Sequence, residues 1–215
     1  MDKQRVNYQL YLLTDEKILE SRNYIKTLEE ALSGGVSLVQ LRDKKLSANE
    51  FFHRAFEVHQ LTQKYGVPLI INDRVDVALA IGAEGVHLGQ QDLPVSAASQ
   101  LAGHKMLIGV SAATLEEAIR AEVEGADYVG VGALYPTGTK ANTRPVTLDQ
   151  LKIIKNTVGL PVVAIGGICK ENLAAVIQQG VDGVAVVSAV LKEESPAKAA
   201  EVLNQIIDET RRKQI

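Results

Sequence analysis

Pro161-Val162-Val163-Ala164-Ile165-Gly166-Gly167 and Gln179-Gly180-Val181-Asp182-Gly183-Val184-Ala185-Val186-Val187-Ser188 each hold a short aliphatic run bounded by glycine, proline or serine. Unbroken apolar runs of this length suit parallel strands covered on both faces, whereas half-exposed antiparallel strands alternate apolar with polar residues. Reading outward, related runs recur at 8–13, 36–41, 67–72, 84–88, 107–111 and 127–132, which with 161–166 and 182–187 predicts eight strands. Helical stretches fall between them, at 23–33, 47–65, 74–81, 94–101, 114–124, 147–157, 170–179 and 196–212.

The borders agree. Ser47, Thr114 and Thr147 each offer a capping oxygen just ahead of acidic residues in a first helical turn. Gly34-Gly35, Gly66, Gly82, Gly125, Gly159 and Gly180 stand where helices should stop. A loose phrase also recurs, as Ser33-Gly34-Gly35-Val36, Gly82-Ala83-Glu84-Gly85-Val86, Gly125-Ala126-Asp127-Tyr128-Val129 and Gly180-Val181-Asp182-Gly183-Val184, each time ending a helix and beginning a strand. Eight strand–helix units in 215 residues leave about 27 residues each, compact but sufficient for a closed barrel. The expectation is an α/β protein, a single-domain (β/α)8 TIM barrel over residues 1–215. An open dinucleotide fold would want Gly-x-Gly-x-x-Gly after its first strand, and Leu13-Thr14-Asp15 offers none.

Composition narrows the function classes. A net charge of −3 without long basic runs argues against a nucleic-acid surface. No window approaches the length of an apolar membrane span, and the amino terminus mixes charges of both signs, so neither a membrane segment nor a secretory signal is expected. The one cysteine, Cys169, excludes an intrachain disulfide and a thiolate metal cluster, which fits a reducing cytoplasm. A homo-oligomer is compatible with all of this.

In such a barrel the reacting groups stand at the carboxyl ends of the strands. Those ends read Gln40-Leu41-Arg42-Asp43-Lys44, Asn72-Asp73-Arg74, His87-Leu88-Gly89-Gln90-Gln91-Asp92, Ser111, Tyr135-Pro136-Thr137-Gly138-Thr139-Lys140, Gly166-Gly167 and Val187-Ser188. Asp73 and Asp92, on adjacent strands, could share a hard divalent cation, magnesium being the natural candidate. The competing reading makes each a cap for the helix that follows. Arg42, Lys44 and Lys140 reach the same rim, and three cations beside a metal suit a polyphosphate. Gly166-Gly167, opening the seventh helix, and Ser188 after the last strand form a second device, a backbone cradle for a monophosphate. His87 reads equally as a core histidine or a ligand contact, and Cys169 as an inert packing thiol.

On the motifs Gln40-Leu41-Arg42-x-Lys44, Asn72-Asp73-Arg74, His87-Leu88-Gly89-Gln90-x-Asp92, Gly109-Val110-Ser111, Tyr135-Pro136-Thr137-x-Thr139-Lys140 and Gly166-Gly167-Ile168, the chain resembles the thiamine-phosphate synthase family. The resemblance implies joining of hydroxymethylpyrimidine diphosphate to thiazole phosphate, with release of pyrophosphate. It places Gln40, Arg42, Lys44, Asn72, Ser111 and Lys140 about the pyrimidine diphosphate, with Leu41 and Asp43 among the substrate-binding residues and Arg42, Lys44, Ser111 and Lys140 acting in catalysis. Asp73 and Asp92 become ligands to one Mg2+. Thr137, Thr139, one or both of Gly166 and Gly167, Val187 and Ser188 fall to the thiazole phosphate, and Gly138 also counts among the substrate-binding residues. The related thiazole tautomerases resemble the synthases but use a histidine two residues after the strand serine, where this chain has Ala113.

Overall fold

The eight aliphatic runs become eight parallel strands in a computed structural model that describes residues 3–103, 106–138 and 144–214. They are β1 (Leu10–Leu13), β2 (Leu38–Leu41), β3 (Leu69–Asn72), β4 (Gly85–Leu88), β5 (Leu107–Ala112), β6 (Tyr128–Val131), β7 (Val162–Ile165) and β8 (Gly183–Val186). Each pairs with its neighbours in sequence, and β8 closes on β1, so the sheet is a barrel without an edge. The helices are α1 (Glu16–Leu19), α2 (Tyr24–Ser33), α3 (Ala48–Lys64), α4 (Val75–Ile81), α5 (Val95–Ala102), α6 (Leu115–Val123), α7 (Leu148–Thr157), α8 (Leu173–Ile177), α9 (Ser188–Leu191) and α10 (Pro196–Arg212). None, among the described residues, is long and apolar enough to cross a membrane.

Ser47 and Thr147 close reciprocal capping boxes with Glu50 and Gln150, and Thr114 caps α6 through the Glu117 amide. Two expectations are corrected. Gly159 is no left-handed helix stop, because α7 already ends in extended backbone at Val158. Gly166-Gly167 does not open a helix either: both residues have positive φ, 104° and 62°. Asn172 then spans the turn, donating to the Gly167 carbonyl at 3.0 Å and accepting the Cys169 N–H at 2.9 Å, so that α8 starts only at Leu173. The short α1 and α9 were not anticipated; Asp15 caps α1 by accepting the amides of Lys17 and Ile18.

Alternate strand residues face opposite layers. Leu10, Leu12, Val39 and Leu41 pack outward under the helices, whereas Tyr11, Leu38, Ile70, Leu107, Tyr128 and Val163 fill the barrel interior. The recurring phrase has a structural meaning at the amino end of the barrel. Ser37, Glu84, Asp127 and Asp182, each just ahead of an even-numbered strand, accept a backbone N–H from the preceding odd strand. The donors are Leu10 (3.0 Å), Leu69 (2.8 Å), Ile108 (2.8 Å) and Val162 (2.7 Å). The three carboxylates also meet His59, Lys3 and Lys155.

Candidate active site

At the opposite end, β3 leads into Asp73, whose φ of 62° is the left-handed region that non-glycine residues avoid. Such a conformation costs about 1 kcal/mol and persists where surrounding bonds enforce it, here the Asp73 N–H to the His87 carbonyl at 2.9 Å. Asp73 Oδ2 accepts from Lys44 Nζ at 2.6 Å. From the β4 loop, Asp92 Oδ2 accepts the Gly89 N–H at 2.7 Å. A β-carbon at residue 89 would lie 2.8 Å from that oxygen, so any other residue there would make the carboxylate shift. Burial, followed by a hydrogen bond shared with Asp73, pushes the Asp92 carboxyl above its ordinary range. The two carboxylates therefore meet, as a shared cation needs. The capping alternative fails: α4 and α5 are capped at Arg74 and Pro94, and neither makes a side-chain cap bond.

The β2 end supplies the cations. Arg42 is largely buried, with Nη1 3.6 Å from Glu16 Oε2. Its backbone is clamped by Thr14, which accepts the Arg42 N–H at 2.9 Å and donates to the Arg42 carbonyl at 3.0 Å. Gln40 is buried in the interior beside them. Two neighbours are engaged elsewhere. Leu41 is fully buried in the outward layer, so its side chain is unavailable at the mouth. Asp43 spends Oδ1 on the amides of Lys45 and Leu46, which makes it a shaper of its loop. Thr139 and Lys140 lie outside the described residues; the chain returns at Arg144, held by Glu117 through paired bonds of 2.7 and 2.8 Å.

The glycine turn after β7 packs against the loop leaving β6. Tyr135 donates its N–H to the Gly166 carbonyl at 3.0 Å, and a β-carbon at Gly167 would come within 2.6 Å of the Pro136 carbonyl oxygen. Thr137 and Gly138 are thereby carried next to this turn. Val187 follows β8 as the N-cap residue of α9, without a side-chain cap bond, and Ser188 stands exposed at the start of that helix.

Two residues that sequence reasoning missed tie the rim together. Tyr11 and Tyr128, buried in the barrel, connect Gln40 to His87, and His87 Nε2 lies 3.0 Å from Ser111 Oγ. Their only signal was a hydroxyl placed at an inward strand position. Asn72 ends β3 in register with His87. Among the described residues no group of three His, Cys, Asp or Glu side chains is placed to hold a metal.

A family model described as thiamine monophosphate synthase matches residues 10–190. The chain belongs to this family. It is 54% identical over 202 residues to the thiamine-phosphate synthase of Alkaliphilus oremlandii, covering 94% of this chain and 97% of that one. The corresponding protein of Clostridium acetobutylicum is 50% identical, over 94% and 96% of the two chains. Among solved structures, a thiamine phosphate pyrophosphorylase from Pyrococcus furiosus superposes with a TM-score of 0.88 at 40% identity, over 96% of this chain and 98% of that one. The family model spans Arg42, Lys44, Asp73 and Asp92.

Proposed function

We propose that this chain is a thiamine-phosphate synthase, a transferase that joins hydroxymethylpyrimidine diphosphate to thiazole phosphate, with residues 1–215 acting as one catalytic barrel in a reducing cytoplasm. The observation that carries the reading is the meeting of Lys44, Asp73 and Asp92 at one rim. In the reaction the bond from the pyrimidine methylene carbon to the diphosphate oxygen breaks, and its electron pair leaves with pyrophosphate. The exocyclic amino group feeds the ring and stabilises the cation; the thiazole nitrogen then bonds to the same carbon.

The protein's contribution is positioning and electrostatics rather than a covalent intermediate. Arg42, held by Thr14 and Glu16, and Lys140 oppose the charge that grows on the departing pyrophosphate. Lys44 sits on a flexible stem with its side chain 56% exposed, so it can pass from Asp73 to a phosphate oxygen. Asp73 and Asp92 would hold one Mg2+: two neighbouring carboxylates, with no group of three His, Cys, Asp or Glu side chains among the described residues, suit a hard cation that takes oxygen ligands and keeps several waters. When bound, that ion supplies further neutralisation of the leaving group. Gly167, Thr137 and Ser188 serve the thiazole phosphate.

Purified protein, both substrates and Mg2+ should yield thiamine monophosphate and pyrophosphate in equal amounts, with none formed when either substrate is left out. Magnesium-independent turnover of the thiazole phosphate alone would instead identify a tautomerase, against which Ala113 and the intact cationic rim already stand.

A further inference from the structure

We propose that Tyr11 and Tyr128 are positioning residues, which use a directed hydrogen-bond chain through the barrel interior to decide which polar atoms Gln40 and Ser111 present to the pyrimidine diphosphate. The substrate in this statement rests on the function proposed above; the direction of the chain does not.

The chain crosses the barrel from β2 to β5. Gln40 Nε2 donates to Tyr11 Oη at 2.7 Å, Tyr11 Oη lies 2.9 Å from Tyr128 Oη, Tyr128 Oη lies 3.0 Å from His87 Nδ1, and His87 Nε2 lies 3.0 Å from Ser111 Oγ. Its direction follows from the first link, because an amide nitrogen can only donate. Among the described residues the Tyr11 hydroxyl meets no acceptor other than Tyr128 Oη, so it gives its proton there, and Tyr128, now accepting from Tyr11, gives its own to its one other partner, His87 Nδ1. That nitrogen must be unprotonated, so His87 is the neutral Nε2–H tautomer and donates to Ser111 Oγ. Two consequences reach the rim. Gln40 keeps Oε1 to accept from a substrate N–H, and the Ser111 proton is directed onto a substrate oxygen. His87 is thus no base for Ser111, in agreement with a reaction that needs no enzyme nucleophile.

Packing supports a built device. A β-carbon at Gly109 would lie 2.1 Å from Tyr128 Cζ and 2.4 Å from its Oη, and one at Gly130 would lie 3.1 Å from His87 Cε1. Two strands give up their side chains to seat this pair. Phenylalanine would fill the same ring space, and a hydroxyl deep in a barrel is tolerated only when bonded. Burial holds both phenols far above their ordinary range, so each keeps the proton the chain requires.

Tyr128→Phe and Tyr11→Phe each remove one oxygen and keep the ring. In the wild type, nitrogen-15 shifts of His87 should show the Nε2–H tautomer, and Tyr128→Phe should mix the tautomers. Both variants should raise KM for the pyrimidine diphosphate about tenfold while leaving that for the thiazole phosphate within about twofold. Tyr8→Phe is the control: its ring lies 5.1 Å from that of Tyr128, outside the chain, and both KM values should stay unchanged. If Tyr128→Phe does not fold, Tyr11→Phe carries the same test from the other end. A wild-type His87 protonated at Nδ1 overturns the proposal, as do Tyr11→Phe and Tyr128→Phe variants with unchanged pyrimidine kinetics, or ones that raise both KM values alike. A wild type that makes no thiamine monophosphate refutes the function instead, and the tautomer still decides the chain.

Discussion

Replacing Asp92 with asparagine keeps its shape and removes one charge, which separates a metal ligand from a loop prop. Two effects on stability oppose each other. The Gly89 N–H, now 2.7 Å from a carboxylate oxygen, exchanges a charged acceptor for a neutral one, a loss of about 1 kcal/mol. Repulsion from Asp73 disappears at the same time. Unit charges about 4 Å apart repel by about 1 kcal/mol in water and about 4 kcal/mol at an effective dielectric of 20. Lys44, 2.6 Å from Asp73, already offsets part of this, so about 1 kcal/mol returns. The thermal midpoint without metal should therefore stay within about 3 °C of the wild type. Activity should behave differently: loss of one of two carboxylate ligands should lower kcat/KM about a hundredfold, or about 2.7 kcal/mol, and raise the magnesium concentration for half-maximal rate. Calorimetry on the metal-free protein and pyrophosphate release across a magnesium titration measure the two quantities. Wild-type activity with an unchanged magnesium requirement would refute the reasoning. So would a stability loss beyond about 2 kcal/mol, which would make Asp92 a support for Gly89.

The two ends of the mouth should separate in steady-state kinetics with each substrate varied in turn. Lys140→Ala should lower kcat at least about tenfold, because its charge matters most as pyrophosphate leaves, whereas Gly167→Ala should chiefly raise KM for the thiazole phosphate; the reverse result would redraw the partition. Arg144 holds the Glu117 carboxyl below its ordinary value of 4.5. With the folded value the lower one, this pair stabilises fully above the unfolded value and loses its effect as pH falls through the folded one. Arg144 is 56% exposed, so Glu117→Gln should cost only about 0.5 kcal/mol in urea melts at neutral pH, shrinking towards zero in acid. Asp127→Asn, at the far end of the barrel, should cost about 1 to 2 kcal/mol in the same melts and leave kcat alone; a changed kcat would contradict the separation of the two ends.

The strands were legible because a parallel strand covered on both faces must be aliphatic throughout, and all eight runs form strands, seven of them trimmed by one or two residues at an end and β5 one residue longer. Residues 166–172 were not, since their course depends on both bonds of Asn172. Four-residue helices such as α1 and α9 are too short to display a period. At the rim, an aspartate just ahead of a helix looks the same whether it caps or coordinates, and only the caps at Arg74 and Pro94 separate the two. Leu41 and Asp43 lie in the right segment, but side-chain parity turns Leu41 to the outer layer, and Asp43 has its own loop to hold. Tyr11 and Tyr128 are 117 residues apart, and they meet only because the sheet closes.

Ser37, Glu84, Asp127 and Asp182 divide the barrel into four buttoned doublets, β1 with β2, β3 with β4, β5 with β6 and β7 with β8. A strand that slips by one residue exchanges its inner and outer faces, so each button acts as a registration mark that keeps the staves at one height. The registers that set Gln40 beside Ile70, Asn72 beside His87 and Ser111 beside Gly130 towards the far rim follow from marks struck at the other end. A doublet whose button is removed would be freer to slide, and its residue at the far rim would be the first thing out of line.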